Sequence, residues 1–456
     1  MTGRATYGEV EAFLKAHPDL EAAEAFVTDP TGIARGKLLR PPDLAKMYRE
    51  GRPLPCSIMS LDITGEDVEE TGLVWDKGDE DKIAWPIAGT LKPAPWMARP
   101  TGQVLLNLFD LDGSPYVADP RHVLAAVVDR LKGDGFTPVV AAELEFYVVD
   151  PARAADGRLQ PPQAPGTGRR LDRIDVYSVT ELEEFAPFID ELYASARIMD
   201  LPVETLISEY APGQLEVVLR HRPDALQAAD EAIQWKRLVR GVAAKHGLLA
   251  TFMAKPYGNR AGSGFHIHAS LADKGGRNLF ADENPEGTPL LRQAIAGLLA
   301  TIGEGMAVFA PNANSYRRFQ SASYAPVART WGVNNRSVAL RIPTGAPETR
   351  HLEHRVAGAD ANPYLAIAAV LAGMHKGISE KLDPGPAITG NGYARAAADL
   401  PNDWPAALRL LKSSPLLKNY FGERFLEIFH AIKAAECRRF SGQVSELDYE
   451  WYLTRA

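Results

Sequence analysis

The stretch Thr137–Val149 constrains the fold more than any other part of the chain. Its β-branched and aromatic residues are typical of a strand, which places Glu143 and Glu145 on one face and apolar residues on the other. Two carboxylates on one face of an apolar strand repel each other and resist burial, so they need a cation between them or water around them. The strand is therefore predicted to bind metal, to lie at a solvated edge, or to have its two acids paired with arginine or lysine elsewhere in the chain.

Size and composition limit the class of protein. A chain of 456 residues exceeds the length at which one core keeps growing, which predicts at least two domains. The net charge of −8 argues against a nucleic-acid partner, whose binding surface would be basic. Two cysteines, Cys56 and Cys437, are too few for a disulfide framework or a thiolate zinc site and favour a reducing cytoplasm. The N-terminus lacks the apolar core of a signal peptide, and charged residues interrupt the apolar stretch Leu290–Pro311, so no membrane partner is expected.

Local patterns divide the chain near Gly113. Before that point, they predict helices at Tyr7–Ala16 and Pro41–Tyr48 and strands at Ala25–Thr28, Ile33–Leu39 and Gln103–Phe109. After it, they predict strands at Thr137–Val149, Gln214–Arg220, Gly264–Ser270 and His351–Val356, and helices at Pro120–Gly133, Pro223–His246, Pro363–Lys381 and Glu423–Lys433. The predicted domains are residues 1–113 and 114–456.

Two of these strands carry histidines at strand spacing. His266 and His268 share a face of the strand at Gly264–Ser270, while His351 and Glu353 share a face of the later strand. Histidines two residues apart suggest zinc or a non-haem metal, but they are also found as hydrogen-bonded core residues. The strands therefore add candidate ligands without fixing the metal.

Further acids decide the kind of metal that is expected. Glu209 and Glu216 flank a turn that can bring both carboxylates to one end of a strand. Together with Glu143, Glu145 and Glu353 they form a ligand set of mostly oxygen atoms, which favours Mg²⁺ or Mn²⁺ over zinc or copper. So many acids favour two ions, as in sites that clamp a transferring phosphoryl group.

The stretch Asn314–Arg355 is rich in arginine and supplies the opposite charge. Arg329 and Arg350 are interpreted as a solvated basic face, whereas the apolar neighbours of Arg336 and Arg341 favour an inward-facing role. The guanidinium fork matches phosphate, and metals held by acids beside arginines suit transfer of the ATP γ-phosphoryl group. The sequence has no Walker or Rossmann glycine pattern, so nucleotide binding of those kinds is not predicted.

At these residues the chain resembles the glutamine synthetase superfamily, over nearly its whole length. The matching motifs are Glu143-Leu144-Glu145-Phe146, Phe252-Met253-Ala254-Lys255-Pro256, Gly262–Ser270, Asn334-Asn335-Arg336-Ser337, Arg341-Ile342-Pro343 and Ala361-Asn362-Pro363-Tyr364. The resemblance implies an α+β fold, with a small N-terminal β-grasp domain (1–113) and a larger catalytic domain (114–456) built on a curved antiparallel sheet with helices. It also implies a homo-oligomer, a dodecamer of two stacked hexameric rings with active sites between subunits.

The same resemblance assigns roles to individual residues. It implies Glu145, Glu209 and Glu216 as ligands of a first metal ion and Glu143, His266 and Glu353 as ligands of a second. It implies that glutamate binds to Gly262, Arg318 and Arg355, and that the ATP contacts come from His268, Ser270, Arg336 and Arg341. Arg336 and Arg355 are also expected to be catalytic, as is Asp62, which a neighbouring subunit contributes to the amine pocket.

Three departures from the family pattern bear on the substrate. Tyr324 stands where true glutamine synthetases carry a flap glutamate that closes the ammonium pocket. It is expected to belong to the catalytic residues and to line the acceptor opening. Ala261 replaces an asparagine, and the tyrosine-containing adenylylation motif is not evident near Asn391-Gly392-Tyr393. The replacement of the flap glutamate argues against ammonia as the substrate.

The resemblance thus implies an ATP-dependent ligase that joins the γ-carboxylate of L-glutamate to a primary amine through γ-glutamyl phosphate. The pattern is most like that of members that act on putrescine or other polyamines. Alternatives are a glutamine synthetase that uses ammonia, a ligase for a small monoamine such as methylamine or ethanolamine, and a non-catalytic structural relative. The acidic run Glu66–Asp81 is predicted either to attract a cationic amine or to be a solvated loop.

Overall fold

Two β-sheets organise residues 3–456, the part of the chain that the computed structural model describes. The first takes its strands from the N-terminal part: β1 (Ala22–Thr28), β2 (Ala34–Leu39), β3 (Arg52–Pro55), β4 (Asp81–Pro86), β5 (Lys92–Pro93) and β6 (Thr101–Phe109). Their order is β2-β1-β6-β4-β3, and β5 pairs with β6. β1 and β6 run parallel, while the other pairs are antiparallel. This mixed sheet fits the predicted β-grasp arrangement.

The second sheet carries the predicted site. Its strands are β7 (Thr137–Val149), β8 (Val203–Ser208), β9 (Gln214–Leu219), β10 (Leu249–Thr251), β11 (Phe265–Ala272), β12 (Trp331–Val333), β13 (Leu340–Ile342) and β14 (Leu352–His354). Their order is β12-β13-β14-β11-β7-β9-β8, and β10 pairs with β7. The sheet departs from the expected antiparallel arrangement at β12 and β13, which run parallel.

Helices surround the sheets. They are α1 (Tyr7–Ala16), α2 (Pro41–Glu50), α3 (Pro120–Gly133), α4 (Val179–Glu184), α5 (Ala186–Ile198), α6 (Ala225–Lys245), α7 (Pro289–Phe309), α8 (Ala313–Tyr316), α9 (Pro363–Ser379), α10 (Gly392–Arg395), α11 (Trp404–Ser413), α12 (Pro415–Phe421), α13 (Glu423–Ser441) and α14 (Glu446–Tyr452). Short 3-10 turns lie at Cys56–Met59, Glu69–Thr71 and Pro347–Thr349. Helix α3 begins as its sequence predicts, because the Asp119 side chain accepts a hydrogen bond from the Arg121 N–H at 2.9 Å.

The apolar stretch Leu290–Pro311 folds into helix α7, which packs against α9. The backbones approach closely at glycines, since a Cβ added at Gly297 would lie 2.1 Å from the Gly373 carbonyl oxygen. Burial in the protein core therefore accounts for the apolar composition of α7. None of the helices within residues 3–456 combines the length and apolar character that a membrane crossing requires.

Helix α13 ties the two parts of the chain together. Its Ile428 and Ile432 are buried in the core that also contains residues of β1, β3 and β6. On the same helix, the Glu436 carboxylate accepts a hydrogen bond from the Ile63 N–H at 2.9 Å. The predicted boundary near residue 113 therefore separates the two sheets but not their hydrophobic cores, and the division into two domains stays a prediction.

Candidate functional site

Strand register brings the predicted acids and histidines to one face of the second sheet. Glu143 on β7 pairs directly with His266 on β11, and Glu145 pairs with Glu216 on β9. His268 pairs with Glu353 on β14. Since directly opposed residues project to the same side of a sheet, these side chains converge although they are far apart in sequence.

Glu143 lies at the centre of this group. Its carboxylate contacts His266 Nδ1 on one side and lies 3.0 Å from His268 Nε2 on the other. His268 in turn lies 3.0 Å, Nδ1 to Nε2, from His351. Burial alone would raise the pKa of Glu143, but His266 and His268 outweigh it and hold that pKa well below its ordinary value. Glu143 is therefore ionised and available as a ligand.

Glu145 is held by neutral donors. It accepts hydrogen bonds from the Gly264 N–H at 2.9 Å and from the Gln214 side-chain amide at 3.1 Å. The same Gln214 amide donates to the Gly262 carbonyl at 3.0 Å. A Cβ at Gly264 would lie 2.9 Å from Arg318 Nη2, so this glycine allows the strand to approach the arginine. Sequence reasoning did not single out Gly264, although it stands within the predicted glycine-rich motif.

Glu209 and Glu216 are the carboxyl groups of the cluster whose pKa values are raised. Burial first, and then repulsion from Glu145 and Glu143, raises the pKa of Glu209 to about 8. Burial and the charges of Glu143, Glu145 and Glu209 raise the pKa of Glu216 to about 11. The two carboxyl groups therefore hold protons at neutral pH unless a cation takes the place of those protons.

Removal of Glu216 is expected to stabilise the metal-free protein. Between the ordinary carboxyl pKa of 4.5 and the folded-state value of about 11, the unfolded chain is ionised while the folded protein keeps the proton. Stability without metal therefore falls as pH rises through this window. Glu216→Gln should flatten this dependence and raise the Tm at pH 8.5 in EDTA by roughly 2–5 °C. Exposed Glu283→Gln is the matched control, and an unchanged slope in Glu216→Gln would contradict the assignment.

Glu353 lies on the cationic side of the cluster. Its two carboxylate oxygens contact Arg355 and, at 2.7 Å, Arg341 Nη1. Burial opposes ionisation, but Arg355, His268 and His266 outweigh it and lower the pKa of Glu353 to about 2. The acidic and basic halves of the predicted site therefore meet at one carboxylate.

The donor set fits divalent metal ions. Ligand atoms of Glu143, Glu216 and His266 lie within 4.8 Å of one another, and so do those of Glu143, His268 and Glu353. Buried carboxyl groups that are repelled by Glu143 and Glu145, as Glu209 and Glu216 are, suit a cation. These two groups differ from the two ligand sets that the resemblance implied. Glu143 belongs to both groups, and His268, which was expected to contact ATP, belongs to one of them. The assignment of each ligand to an ion stays a prediction.

The predicted glutamate-binding residues adjoin the cluster. Arg318 donates to the backbone carbonyls of Val356, at 2.7 Å, and Arg355, at 3.1 Å. A Cβ at Gly262 would lie 2.7 Å from Arg318 Cγ, so that glycine leaves room for the arginine. Ser270 is half-buried and lies two residues beyond His268 on the same face of β11.

The arginines differ from their predicted environments in two cases. Arg341 is buried as expected, but Arg336 is exposed on a turn and is not inward-facing. Its charge nevertheless lowers the pKa of Glu209, so Arg336 lies near the cluster. Arg350, predicted to be solvated, is buried and donates to the Asp282 carbonyl at 3.2 Å, whereas Arg329 is exposed and binds Asp399. Apolar neighbours in sequence therefore predicted the burial of Arg341 correctly but that of Arg336 wrongly, and they gave no sign of the burial of Arg350.

Tyr324 lies on an exposed loop. Its side chain is 60% exposed, and its φ of +58° is in the left-handed region that a tyrosine rarely adopts. The Tyr393 hydroxyl donates to the neighbouring Ala325 carbonyl at 2.9 Å. Burial raises the pKa of Tyr393, although a hydrogen bond with Ser323 and the charges of Arg355 and Arg318 oppose that rise, so Tyr393 also lies near the site. Sequence reasoning considered Tyr393 only as a missing modification motif.

Asp62 is not brought to the cluster within one chain. Its carboxylate accepts from the Thr64 N–H at 2.8 Å and lies 2.7 Å from Arg439 Nη1. Burial alone would raise its pKa, but hydrogen bonds from Thr64 and Glu66 and the Arg439 charge hold the pKa of Asp62 below its ordinary value. It is therefore ionised and bound to Arg439 on helix α13 of its own chain.

The acidic run is partly neutralised. Glu66 binds Arg439 and Glu70 binds Arg438, both on α13. These ion pairs leave less free charge to attract a cationic amine than the sequence suggested.

A cavity of about 1030 Å³ lies away from the cluster, between the turn after β1 and helix α6. Of the described residues that line it, none is a predicted metal ligand. The chemistry of the acids and histidines, rather than cavity size, therefore locates the candidate site.

A comparison with protein families agrees with this geometry. The model described as "Glutamine synthetase, catalytic domain" matches residues 117–452. The chain belongs to the glutamine synthetase family. The predicted family is thus confirmed, and the family uses ATP and divalent metal ions.

Relatives and a solved structure refine the comparison. γ-Glutamylputrescine synthetase PuuA of Escherichia coli (strain K12) is 41% identical, covering 100% of this chain and 96% of the relative. Glutamate–isopropylamine ligase of a Pseudomonas species is 31% identical, covering 98% and 97%. A solved structure described as a GmaS/ADP complex superposes with a TM-score of 0.84 at 26% identity, covering 97% of this chain and 99% of that one. The predicted α+β glutamine synthetase fold is confirmed, and the predicted ligase class agrees with the names of both relatives.

Proposed function

We propose that this member of the glutamine synthetase family joins the γ-carboxylate of L-glutamate to a primary amine at the expense of ATP, with putrescine or another polyamine as acceptor. The observation that carries the proposal is the arrangement on one sheet face, where Arg341 and Arg355 meet the acids and histidines at Glu353. An enzyme that brings an anionic carboxylate to an anionic triphosphate needs both kinds of charge in one site. The likeness to PuuA supports the choice of acceptor.

The metal ligands proposed are Glu143, Glu145, Glu209, Glu216, His266 and Glu353, which hold two or more Mg²⁺ or Mn²⁺ ions. When bound, such ions neutralise the charge of phosphate and carboxylate oxygens. The residues of the chain provide the remaining positions. His268, Ser270 and Arg336 contact ATP with Arg341, whereas Gly262, Arg318 and Arg355 bind glutamate.

The proposed reaction has two steps. A γ-carboxylate oxygen of glutamate attacks the γ-phosphorus of ATP, ADP leaves, and γ-glutamyl phosphate forms. The neutral amine then attacks the acyl carbon, and phosphate leaves. Asp62 of a neighbouring subunit accepts the amine proton, and Arg336 and Arg355 stabilise the negative charge that develops.

Phosphate release from ATP tests the proposal. The protein is incubated with ATP, glutamate, Mg²⁺ and, separately, ammonium, methylamine, ethanolamine, isopropylamine or putrescine. Release that is fastest with putrescine supports the proposal, and release that is fastest with ammonium favours an ordinary glutamine synthetase. A preference for methylamine or ethanolamine favours a small-monoamine ligase. No release with any amine would identify a non-catalytic relative.

The proposed assembly is a cytoplasmic dodecamer of two stacked hexameric rings. The proposal is motivated by Asp62, which lies in the N-terminal part of the chain between β3 and β4. Its carboxylate contacts Arg439 and not the cluster of glutamates. If each site combines two subunits, mixing Asp62→Ala with Glu145→Ala subunits should restore activity at about one quarter of the sites. Glu145→Ala mixed with Glu353→Ala is the control, because both changes affect the same half-site. Equal inactivity of both mixtures, in rings verified to be mixed, would show that each chain builds its own site.

A further inference from the structure

The segment Ile388–Tyr393, here called the strap, connects two loops at the candidate site. One is the acceptor loop, Ser321–Pro326, which carries Tyr324. The other is the phosphate turn, Asn334–Ser337, which carries Arg336. Hydrogen bonds of the strap join the two loops. The residues of the strap have no role in the proposed reaction.

Tyr393 supports the acceptor loop. Tyr393 is half-buried, and its hydroxyl donates to the Ala325 carbonyl at 2.9 Å. The loop itself is strained, because Ala322 and Tyr324 have φ values of +60° and +58°. Such a conformation persists only when surrounding contacts hold it, and the Tyr393 hydroxyl supplies one from outside the loop.

The phosphate turn is bound to the strap by several hydrogen bonds. The Gly392 N–H donates to Ser337 Oγ at 2.8 Å, and the Asn335 side-chain amide donates to the carbonyls of Gly390, at 2.9 Å, and Ile388, at 3.1 Å. A Cβ at Gly392 would lie 2.6 Å from the Ser337 carbonyl oxygen, so the two backbones are closely packed. A displacement of the turn is therefore transmitted to the strap.

We infer that Tyr393 is a positioning residue that couples the acceptor loop to the phosphate turn through the strap. The acceptor loop then keeps its position for the amine only while the phosphate turn is held in place. The inference rests on the proposed function, in which γ-glutamyl phosphate meets one of two nucleophiles. Attack by the amine on the acyl carbon gives the amide and phosphate. Attack by water breaks the same carbon–oxygen bond, returns glutamate and releases phosphate, so the net reaction is ATP hydrolysis.

Tyr393→Phe tests the coupling, because it removes only the hydroxyl group. With saturating ATP, glutamate and putrescine, the ratio of phosphate released to amide formed should be near one in the wild-type protein. The variant should release about 3- to 10-fold more phosphate per amide and show a similar rise in the KM for putrescine, the range expected for one lost hydrogen bond. The Tm should stay close to that of the wild-type protein, which a general loss of structure would not allow. Tyr48→Phe, which removes a hydroxyl near Glu9 in the N-terminal part, is the matched control.

Ser337→Ala tests the other end of the strap. It should raise the same ratio of phosphate released to amide formed. The double variant should have a ratio no higher than that of the more affected single variant, since both changes break one connection. A double variant in which the effects of the two changes on this ratio add, or an unchanged ratio in Tyr393→Phe, would overturn the inference. Hydrogen–deuterium exchange provides a readout that does not need activity: Tyr393→Phe should speed exchange at residues 334–337, which the removed hydroxyl does not touch. No change there would also overturn the coupling, whereas an inactive wild-type protein would instead overturn the proposed function.

Discussion

Glu145→Gln and Glu353→Gln are each expected to lower kcat/KM by roughly 10³-fold or more, because each removes a charge that is proposed to hold a cation at the site of phosphoryl transfer. Glu145 accepts hydrogen bonds from the Gly264 N–H and the Gln214 amide, which a glutamine oxygen can also accept. Its replacement by glutamine also removes a charge that repels Glu209 and Glu216. The measurement is phosphate release from ATP, glutamate and putrescine over a range of Mg²⁺ concentrations. Weaker metal binding should appear as partial recovery at high Mg²⁺.

The two variants should differ in stability. Glu353 neutralises Arg341 and Arg355, so Glu353→Gln leaves two buried guanidinium groups without their carboxylate, a change that costs on the order of 3–5 kcal/mol. Glu145→Gln should keep a Tm close to that of the wild-type protein, and it therefore separates lost chemistry from lost folding. Glu283→Gln, an exposed acid, controls for the loss of one charge. Near-normal turnover of Glu145→Gln in Mg²⁺ would show that the metal assignment is wrong.

The faces of the site strands could be predicted from the sequence because side-chain alternation is a local property. The spacing of Glu143 and Glu145, and of His266 and His268, fixes which side chains share a face. The register that opposes Glu143 to His266 depends on how distant strands pair, and the sequence alone did not determine it. Knowledge of the family motifs, rather than periodicity, identified the same residues as one site.

Long-range packing explains the predictions that were wrong or incomplete. Arg350 is buried because the segment before β14 folds against the loop at Asp282, a contact that its neighbours in sequence do not reveal. The charges of Glu66 and Glu70 are partly neutralised by ion pairs with arginines on α13, more than 360 residues away in sequence. The predicted domain boundary was drawn from local turn residues, which do not reveal that the apolar face of α13 packs into the N-terminal core.

Putrescine is expected to exceed ammonium in kcat/KM by about 10²-fold, since burial of about four methylene groups contributes about 3 kcal/mol. Tyr324 supplies an aromatic side chain at the acceptor loop, where a carboxylate would instead close over ammonium. Its 60% exposure leaves the ring free to pack against an alkyl chain. n-Butylamine, which lacks the second ammonium group, separates packing from charge. If it equals putrescine, the predicted attraction of the acidic run Glu66–Asp81 is wrong. An attraction by charge should also shrink as ionic strength rises.

Tyr324→Glu should move the preference towards ammonium by at least about 10-fold, because a carboxylate at this position can attract ammonium and accept its proton. Tyr324→Gln is the matched control, since it has the same size and the same left-handed backbone requirement without the charge. Both variants should lose putrescine turnover to a similar extent through the lost ring, so only the ammonium rate distinguishes them. Equal ammonium rates in the two variants would remove charge at position 324 as the cause of acceptor choice. Ammonium as the best acceptor of the wild-type protein would refute both the role of Tyr324 and the choice of a polyamine.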